Sequence, residues 1–446
     1  MPLHPPYAVH RLRIFTVAIL FVLVCLSPSL RAQISFQSPT TLNLPAAGSD
    51  VTIGDFNRDG ILDIAATAGF PSGAQNFVFL GLGGGAFGSP TEFAPGPTCN
   101  SAGQLKAADV NNDGNLDLIL ALGGSSGSCF GNKISVQLGD GMGGFGSGII
   151  TSSTASSLLS FAVGDFNEDG KLDLAVRAAD EDAIFILLGN GDGTFSVGVE
   201  LSTPGLYPEN IVAVDLNGDH HLDLAATYAD GVRVFIGDGT GNFSGPTLYP
   251  ITNPSFFGIA AGDFNEDGIP DLAVSNGSQG AVFVLLGTGG GQFATPVSFP
   301  AGTNPQSEVI VADFDGDGHQ DIAVGNCMAG TVSVLKGDGQ GNFAAPATFP
   351  AGQGSSCRLA SGDLTGDGLP DLVSTTQAGI SVLLNSTPHS QQNYLLSVSI
   401  TSNSGSGIVT SADGGINCPG TCGNSYPVNA PVTLHAAPQT GFSFAG

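Results

Sequence analysis

The sequence predicts an all-β fold: a seven-bladed β-propeller whose N-terminal strand closes the last blade, followed by a small partial β module. Three observations predict it. A nine-residue acidic loop, Asp-x-(Asn/Asp/Thr)-x-Asp-(Gly)-x-x-Asp, begins at Asp55, Asp109, Asp165, Asp215, Asp263, Asp313 and Asp363. A return at intervals of about fifty residues marks a repeat architecture. Each full interval holds four short apolar stretches separated by turn residues, the pattern of strands joined by hairpins. The last interval lacks its fourth stretch, and a matching segment stands before the first loop.

The N-terminus reads as a targeting segment. His10, Arg11 and Arg13 precede an apolar run from Ile14 to Leu26, and Ala32 is the expected last residue before cleavage. The run is too short to span a bilayer, so residues 1–32 are expected to be a secretory signal peptide. Val24 before Cys25 is larger than the residue that lipoprotein processing prefers. No other segment is long and apolar enough to cross a membrane. The expected location is therefore secreted or cell-surface.

Phe36 to Pro45 (FQSPTTLNLP) comes next. It matches the fourth stretches FATPVSFP (293–300) and FAAPATFP (343–350), whereas the seventh unit stops at GISVLLN (379–385). The N-terminal strand is expected to complete that blade and so pair edges that an open array would expose.

Residues 257–300 show a full unit. An alternating stretch, Gly258 to Phe264, runs into the acidic loop; DLAVS (271–275) and AVFVLL (281–286) follow as buried strands. A glycine-rich turn leads to Phe293 and an outer strand with Pro296, which an edge tolerates. That turn recurs as LGDGMGGF (138–145), LGNGDGTF (188–195), IGDGTGNF (236–243) and KGDGQGNF (336–343). No helical pattern follows it, so its glycines are read as turn residues and not as a phosphate cradle. Four-stranded units of this length in tandem fit a propeller, expected to be monomeric.

The chain has 446 residues, a net charge of −27 and only 11% charged residues, which excludes a charge-rich disordered chain. Twenty-two aspartates of the 38 acidic residues lie in the seven loops, so the acidity is mainly that of the loops. Seven divalent ions would bring the charge to about −13. No basic patch exists to neutralise phosphates, which argues against nucleic acid as a partner.

In each loop, positions 1, 3, 5 and 9 offer side-chain oxygens and position 7 a backbone carbonyl, the hard-oxygen set that calcium takes. The sets, with the position-7 residue fourth, are Asp55, Asn57, Asp59, Ile61 and Asp63; Asp109, Asn111, Asp113, Asn115 and Asp117; and Asp165, Asn167, Asp169, Lys171 and Asp173. They continue with Asp215, Asn217, Asp219, His221 and Asp223; Asp263, Asn265, Asp267, Ile269 and Asp271; and Asp313, Asp315, Asp317, His319 and Asp321. The last is Asp363, Thr365, Asp367, Leu369 and Asp371. Asp, Asn and Gly are also ordinary turn residues. Three carboxylates within nine residues, seven times over, would repel one another without a cation. Up to seven structural Ca2+ ions are therefore expected. Position 6 is glycine except at His220, where positive φ is costly, and Thr365 is a poorer ligand; those two sites are ranked weakest. No helix flanks the loops and no Glu stands at position 12, so they are not EF-hands.

The GDFN-x-DG-x-x-DLA and LG-x-G-x-G-x-F signatures resemble the FG-GAP/VCBS-type repeats of the integrin α N-terminal propeller superfamily, over residues 33–385. The resemblance implies a seven-bladed propeller with calcium in the hairpin between first and second strands. It also implies adhesion or recognition of an extracellular protein or glycan, with ligand loops on the face opposite the calcium hairpins. Six cysteines remain beyond the signal, and an even count in an exported chain favours disulfides. By the family analogy Cys99, Cys129, Cys327 and Cys357 share the non-calcium face, with Cys99 paired to Cys129 and Cys327 to Cys357; free buried thiols are the rival reading.

Residues 386–393 (STPHSQQN) read as a polar linker. Residues 394–446 resemble an InlB-type bacterial B-repeat through SGSGIVTSADGGINCPGTC and VTLHAAPQTGFSFAG. The tryptophan usual in that module is missing, so the module reads as partial. Cys418 and Cys422 are expected to form a local disulfide, because no further Cys or His pair completes a metal site.

The sequence is not expected to be an enzyme. Past the signal, the histidines are His220, His221 and His319 in loops and His389 and His435 towards the C-terminus; none is placed to serve a nucleophile. A carbohydrate-active enzyme on the same propeller would use loop carboxylates such as Glu181, Asp182, Glu209 and Glu308, which otherwise read as solvated charges. A structural segment of a longer surface protein is the third reading.

Overall fold

The described residues of the computed structural model are 33–69, 75–93, 103–122, 133–152, 158–178, 181–251, 255–305, 308–353 and 358–388, with 393–397, 407–411, 416–418, 423–427 and 434–438 in the tail. The main body is seven four-stranded antiparallel sheets arranged as the blades of a propeller. Blade 1 shows the plan: Gly48–Gly54, Asp63–Ala68, Gln75–Phe79 and Thr91–Phe93, hydrogen-bonded in that order.

The second strands, such as Asp63–Ala68, Asp117–Leu122 and Asp271–Asn276, are buried at every residue. Each is covered on both faces by neighbouring blades, which explains why they read as unbroken apolar runs. Each fully buried Leu, Ile or Val contributes about 1.5–3 kcal/mol of transfer free energy. Fourth strands sit outermost and are largely exposed, as in Val297–Pro300. First strands end where the acidic loop begins: the strand expected to reach Phe264 stops at Gly262, because the Asp263 side chain accepts hydrogen bonds from the loop backbone.

The ring closes as the sequence predicts. Thr40–Asn43 pairs with Gly379–Leu383, Thr40 opposite Val382 and Asn43 opposite Gly379. Phe36 bridges Asn385, the same pairing as Gly139 with Phe145 and Gly337 with Phe343 at the glycine turns of blades 2 and 6. The seventh blade thus has a glycine turn cut open, with Phe36 from one end of the array and Asn385 from the other. Phe36 packs edge-on against Phe314 and Phe349, at 6.1 and 5.0 Å between centroids.

In the tail, Asn393–Ser397 pairs with Gly423–Pro427, and Gly407–Ser411 pairs with both Asn417–Cys418 and Leu434–Pro438. The signal segment, Cys99, Cys129, Cys357 and Cys422 lie outside the described residues. Cys327 is buried and opens a short 3-10 turn, Cys327–Ala329. Among the described residues no helix is long and apolar enough to cross a membrane.

Candidate metal centres

All seven acidic loops connect first and second strands and fold alike. The position-1 carboxylate accepts backbone N–H groups from positions 5 and 6 in most of them. In the first loop, Asp59 donates to Asp55 Oδ1 at 3.2 Å and Gly60 to Oδ2 at 2.9 Å. In the fourth, Gly218 and His220 donate to Asp215 at 2.7 and 2.8 Å. The position-5 carboxylate accepts the N–H of position 7, for example Asn115 to Asp113 at 2.8 Å, which pulls the exposed Asp113 below its ordinary value. These bonds fix the position-1 and position-5 carboxylates against the loop backbone; among the described residues it is the sixth loop whose three carboxylates, Asp313, Asp315 and Asp317, lie close enough together to hold one ion.

Position 9 is the anchor. Asp63, Asp117, Asp173, Asp223, Asp271, Asp321 and Asp371 are all 0% exposed. Each accepts two backbone N–H groups, one from loop position 2 and one from a residue at the end of the third strand or two positions past it. Asp63 takes Phe56 at 2.8 Å and Gly81 at 2.7 Å; Asp223 takes Leu216 and Gly237, both at 2.8 Å. Burial, and then the charges at positions 1 and 5, hold these carboxyls above the usual range: Asp117, Asp271 and Asp371 at about 6, Asp321 at about 7. Each oxygen keeps a second lone pair for a cation. Three carboxylates with one buried and raised, plus an amide and a free carbonyl, are a donor set that fits calcium.

In six blades a glycine supplies that second N–H, and in the seventh Asn385 does. A Cβ on Gly237 would lie 2.2 Å from the Leu222 carbonyl oxygen, and one on Gly337 2.1 Å from that of Gln320. At position 6, His220 does carry a positive φ of 73°, as its place in the loop implies. Position 4 is left-handed too, with Gly in three loops and Arg58, Asn112, Glu168 and Glu266 in the others, at φ 55–60°. The sequence reading passed over this position.

The side chains at position 4 reach the next blade's loop. Arg58 donates to Asn115 at 3.2 Å, Asn112 to the Gly170 carbonyl at 2.8 Å, and Glu168 and Glu266 bond the rings of His221 and His319.

The opposite ends of the first strands carry a second polar cluster around the central channel, a cavity of about 850 Å³. Glu308 accepts from Gln104 at 3.0 Å and from Arg358 at 3.4 Å; Arg177 pairs with Glu209 at 3.3 Å. Lys106 lies 5.8 Å over the Phe161 ring. Asp50, 1% exposed, accepts N–H groups from Val51 and Leu105, and burial followed by the Glu308 charge pushes it up to about 7. Glu308 is therefore a largely shielded, paired group of the channel mouth, and Glu209 an exposed carboxylate paired with Arg177. Asp182 instead ties down the backbone N–H of Gly205 at 2.5 Å.

The sequence pattern of the family described as FG-GAP-like repeat matches residues 55–120, 109–176, 215–274, 263–324 and 313–374, more than half of the chain. The chain belongs to the FG-GAP-like repeat family. A related pattern, the FG-GAP repeat, matches residues 158–197 of the same propeller. No curated protein sequence matches the chain. Among solved structures, BBS1N in complex with ARL6DN is similar at 14% identity and a TM-score of 0.54, over 80% of this chain and 98% of that one. A lectin from Agrocybe aegerita, described as recognising non-reducing terminal N-acetylglucosamine, is 18% identical at a TM-score of 0.47, over 68% of this chain and 80% of that one. At these identities the likeness concerns the fold.

Proposed function

We propose that this FG-GAP-like repeat chain is an extracytoplasmic recognition propeller in which calcium is structural and the ligand, a protein or a glycan, meets the face opposite the metal loops. The observation that carries the reading is the repeated loop itself: seven times, the oxygen-bearing positions 1, 3, 5 and 7 share a nine-residue loop with a buried carboxylate at position 9. Residues 1–32 act as the export signal, residues 386–393 as a linker whose first residues, Ser386 and Thr387, are bonded to Ser35 of the propeller, and residues 394–446 as a B-repeat-like module. The disulfide pairs Cys99–Cys129 and Cys327–Cys357 would brace the ligand face. Turnover is not part of the proposal, since the channel-mouth carboxylates Glu209 and Glu308 are engaged by Arg177, Arg358 and Gln104.

The test is thermal unfolding of residues 33–388 in calcium, magnesium and excess chelator. A ligand that binds only the folded state raises its stability. A large calcium-specific rise in midpoint is expected; equal midpoints in calcium and chelator would remove the metal from the reading. Arrays of glycans and of surface proteins, read with and without Lys106→Ala, then address the ligand face.

A further inference from the structure

The sixth loop departs from the others twice. Position 3 is Asp315, where five loops have Asn and one has Thr365. In addition, the residue before the conserved turn glycine is Lys336, where the other blades have Leu80, Leu138, Leu188, Ile236, Leu286 and Leu384. The two exceptions meet in space. Lys336 Nζ contacts Asp315 Oδ2 and lies 3.0 Å from Asp317 Oδ2, with the Asp315 side chain 1% exposed and that of Lys336 19%. Asp313, Asp315 and Asp317 present their oxygens close enough together to hold one ion.

The fold explains why this lysine is tolerated here. Each of the six aliphatic residues lies against the glycine turn of the following blade: Leu80 against Gly143, Leu286 against Gly341, and Leu384 against Gly85. The blade after Lys336 is the seventh, whose turn is cut open between Phe36 and Asn385. With no glycine turn to pack against, the position is released from its apolar role and the side chain reaches into its own blade's loop.

We infer that Lys336 is a tethered cation for the sixth loop. Its ammonium sits between the position-3 and position-5 carboxylates, where a bound calcium would otherwise gather them, and offsets the fourth aspartate. The sixth loop therefore holds its shape without a metal at calcium concentrations that fill its neighbours. This rests on the calcium reading of the other loops.

Native mass spectrometry of the propeller at graded calcium counts the ions directly, with chelator-stage thermal midpoints as a second readout. Asp315→Asn/Lys336→Gln gives the sixth loop the common Asp-Asn-Asp pattern with no lysine, and is expected to bind one calcium more than wild type. Lys336→Gln alone should also gain one ion, and should melt earlier than wild type in chelator because four carboxylates are left without a counter-charge. Asp315→Asn alone, which keeps the lysine beside Asp317, should gain none. Calcium in the wild type with no extra ion in either lysine variant overturns the tethered cation and leaves the calcium reading intact. No calcium in any form overturns both.

Discussion

The Asn385 side-chain amide donates to the Phe314 carbonyl at 2.8 Å, across the joint between blades 6 and 7. In most other joints the same carbonyl position accepts a backbone N–H from the next blade's glycine turn, as Phe56 does from Gly143 at 3.1 Å and Phe264 from Gly341 at 2.8 Å. The seventh blade has no such turn, and one amide side chain supplies the missing donor. It also donates to Pro370 at 3.0 Å and accepts from Thr387 at 2.9 Å.

Asn385→Ala would leave two buried carbonyls and one N–H without a partner. A loss of about 2–3 kcal/mol is expected, at about 1 kcal/mol or more for each buried group left unpaired. Urea denaturation of wild type and variant measures it; a loss below about 0.5 kcal/mol would show that water takes over these bonds.

Phe36→Ala removes the half-buried ring that packs on Phe314 and Phe349, and should cost about 2 kcal/mol, less than the truncation of a fully buried Phe. Starting the chain after Asn43 would remove the whole closing strand and should cost more than the point variant. Paired urea curves of the two check the order.

Gly237→Ala sets a methyl group against the Leu222 carbonyl and must push the turn away from Asp223. Overpacking of this kind costs about 1–3 kcal/mol. Gly218→Ala, where nothing lies near the added carbon, meets only the cost of a positive φ and should be milder.

Positions 5 and 9 of one loop separate metal from fold. Asp169→Asn removes a proposed ligand on the loop surface and weakens only its exposed contacts with Lys171, so it should lower the midpoint much more in calcium than in chelator. Asp173→Asn also disturbs the acceptor for Phe166 and Gly189, at 3.0 and 2.7 Å, so it should lower the midpoint in chelator as well. Equal effects in both conditions for Asp169→Asn would place that residue outside the metal site.

Asp50 sets a pH dependence at the channel mouth. Its pKa in the folded protein is raised to about 7, first by burial and then by Glu308, with Arg358 acting the other way. A raised carboxyl favours the fold while protonated, so its contribution is intact below the unfolded value and lost as pH rises through 7. Between pH 5 and pH 8 the stability of wild type relative to Asp50→Asn should therefore fall, by up to about 2 kcal/mol. Urea midpoints at the two pH values read the difference; a constant gap would mean that Asp50 is ionised throughout.

Blade count, strand order and ring closure were legible in the sequence because each is written as a period or as a missing piece of one. The acidic loops were legible for the same reason, down to the positive φ at His220. What escaped were relations between blades. Nothing in a fifty-residue period says that Glu168 meets His221, or that Asp63 spans from Phe56 to Gly81, since those contacts depend on how blades stack. The channel-mouth cluster escaped because Asp50, Gln104, Lys106, Glu308 and Arg358 share no motif; only the convergence of first strands brings them together. Lys336 looked like an ordinary variation in a turn until the open seventh turn gave its departure a cause.

The open turn also fixes how the molecule is presented. Third strands run towards the metal loops, so Asn385 and Phe36 meet on that side, where Gly239 of an equivalent turn lies against His221. Whatever precedes residue 33 and whatever follows residue 388 leave the propeller from one corner of the metal-loop side. A tether at either end would hold the disc by its acidic-loop side and turn the opposite end of the channel outward, towards whatever the surroundings offer.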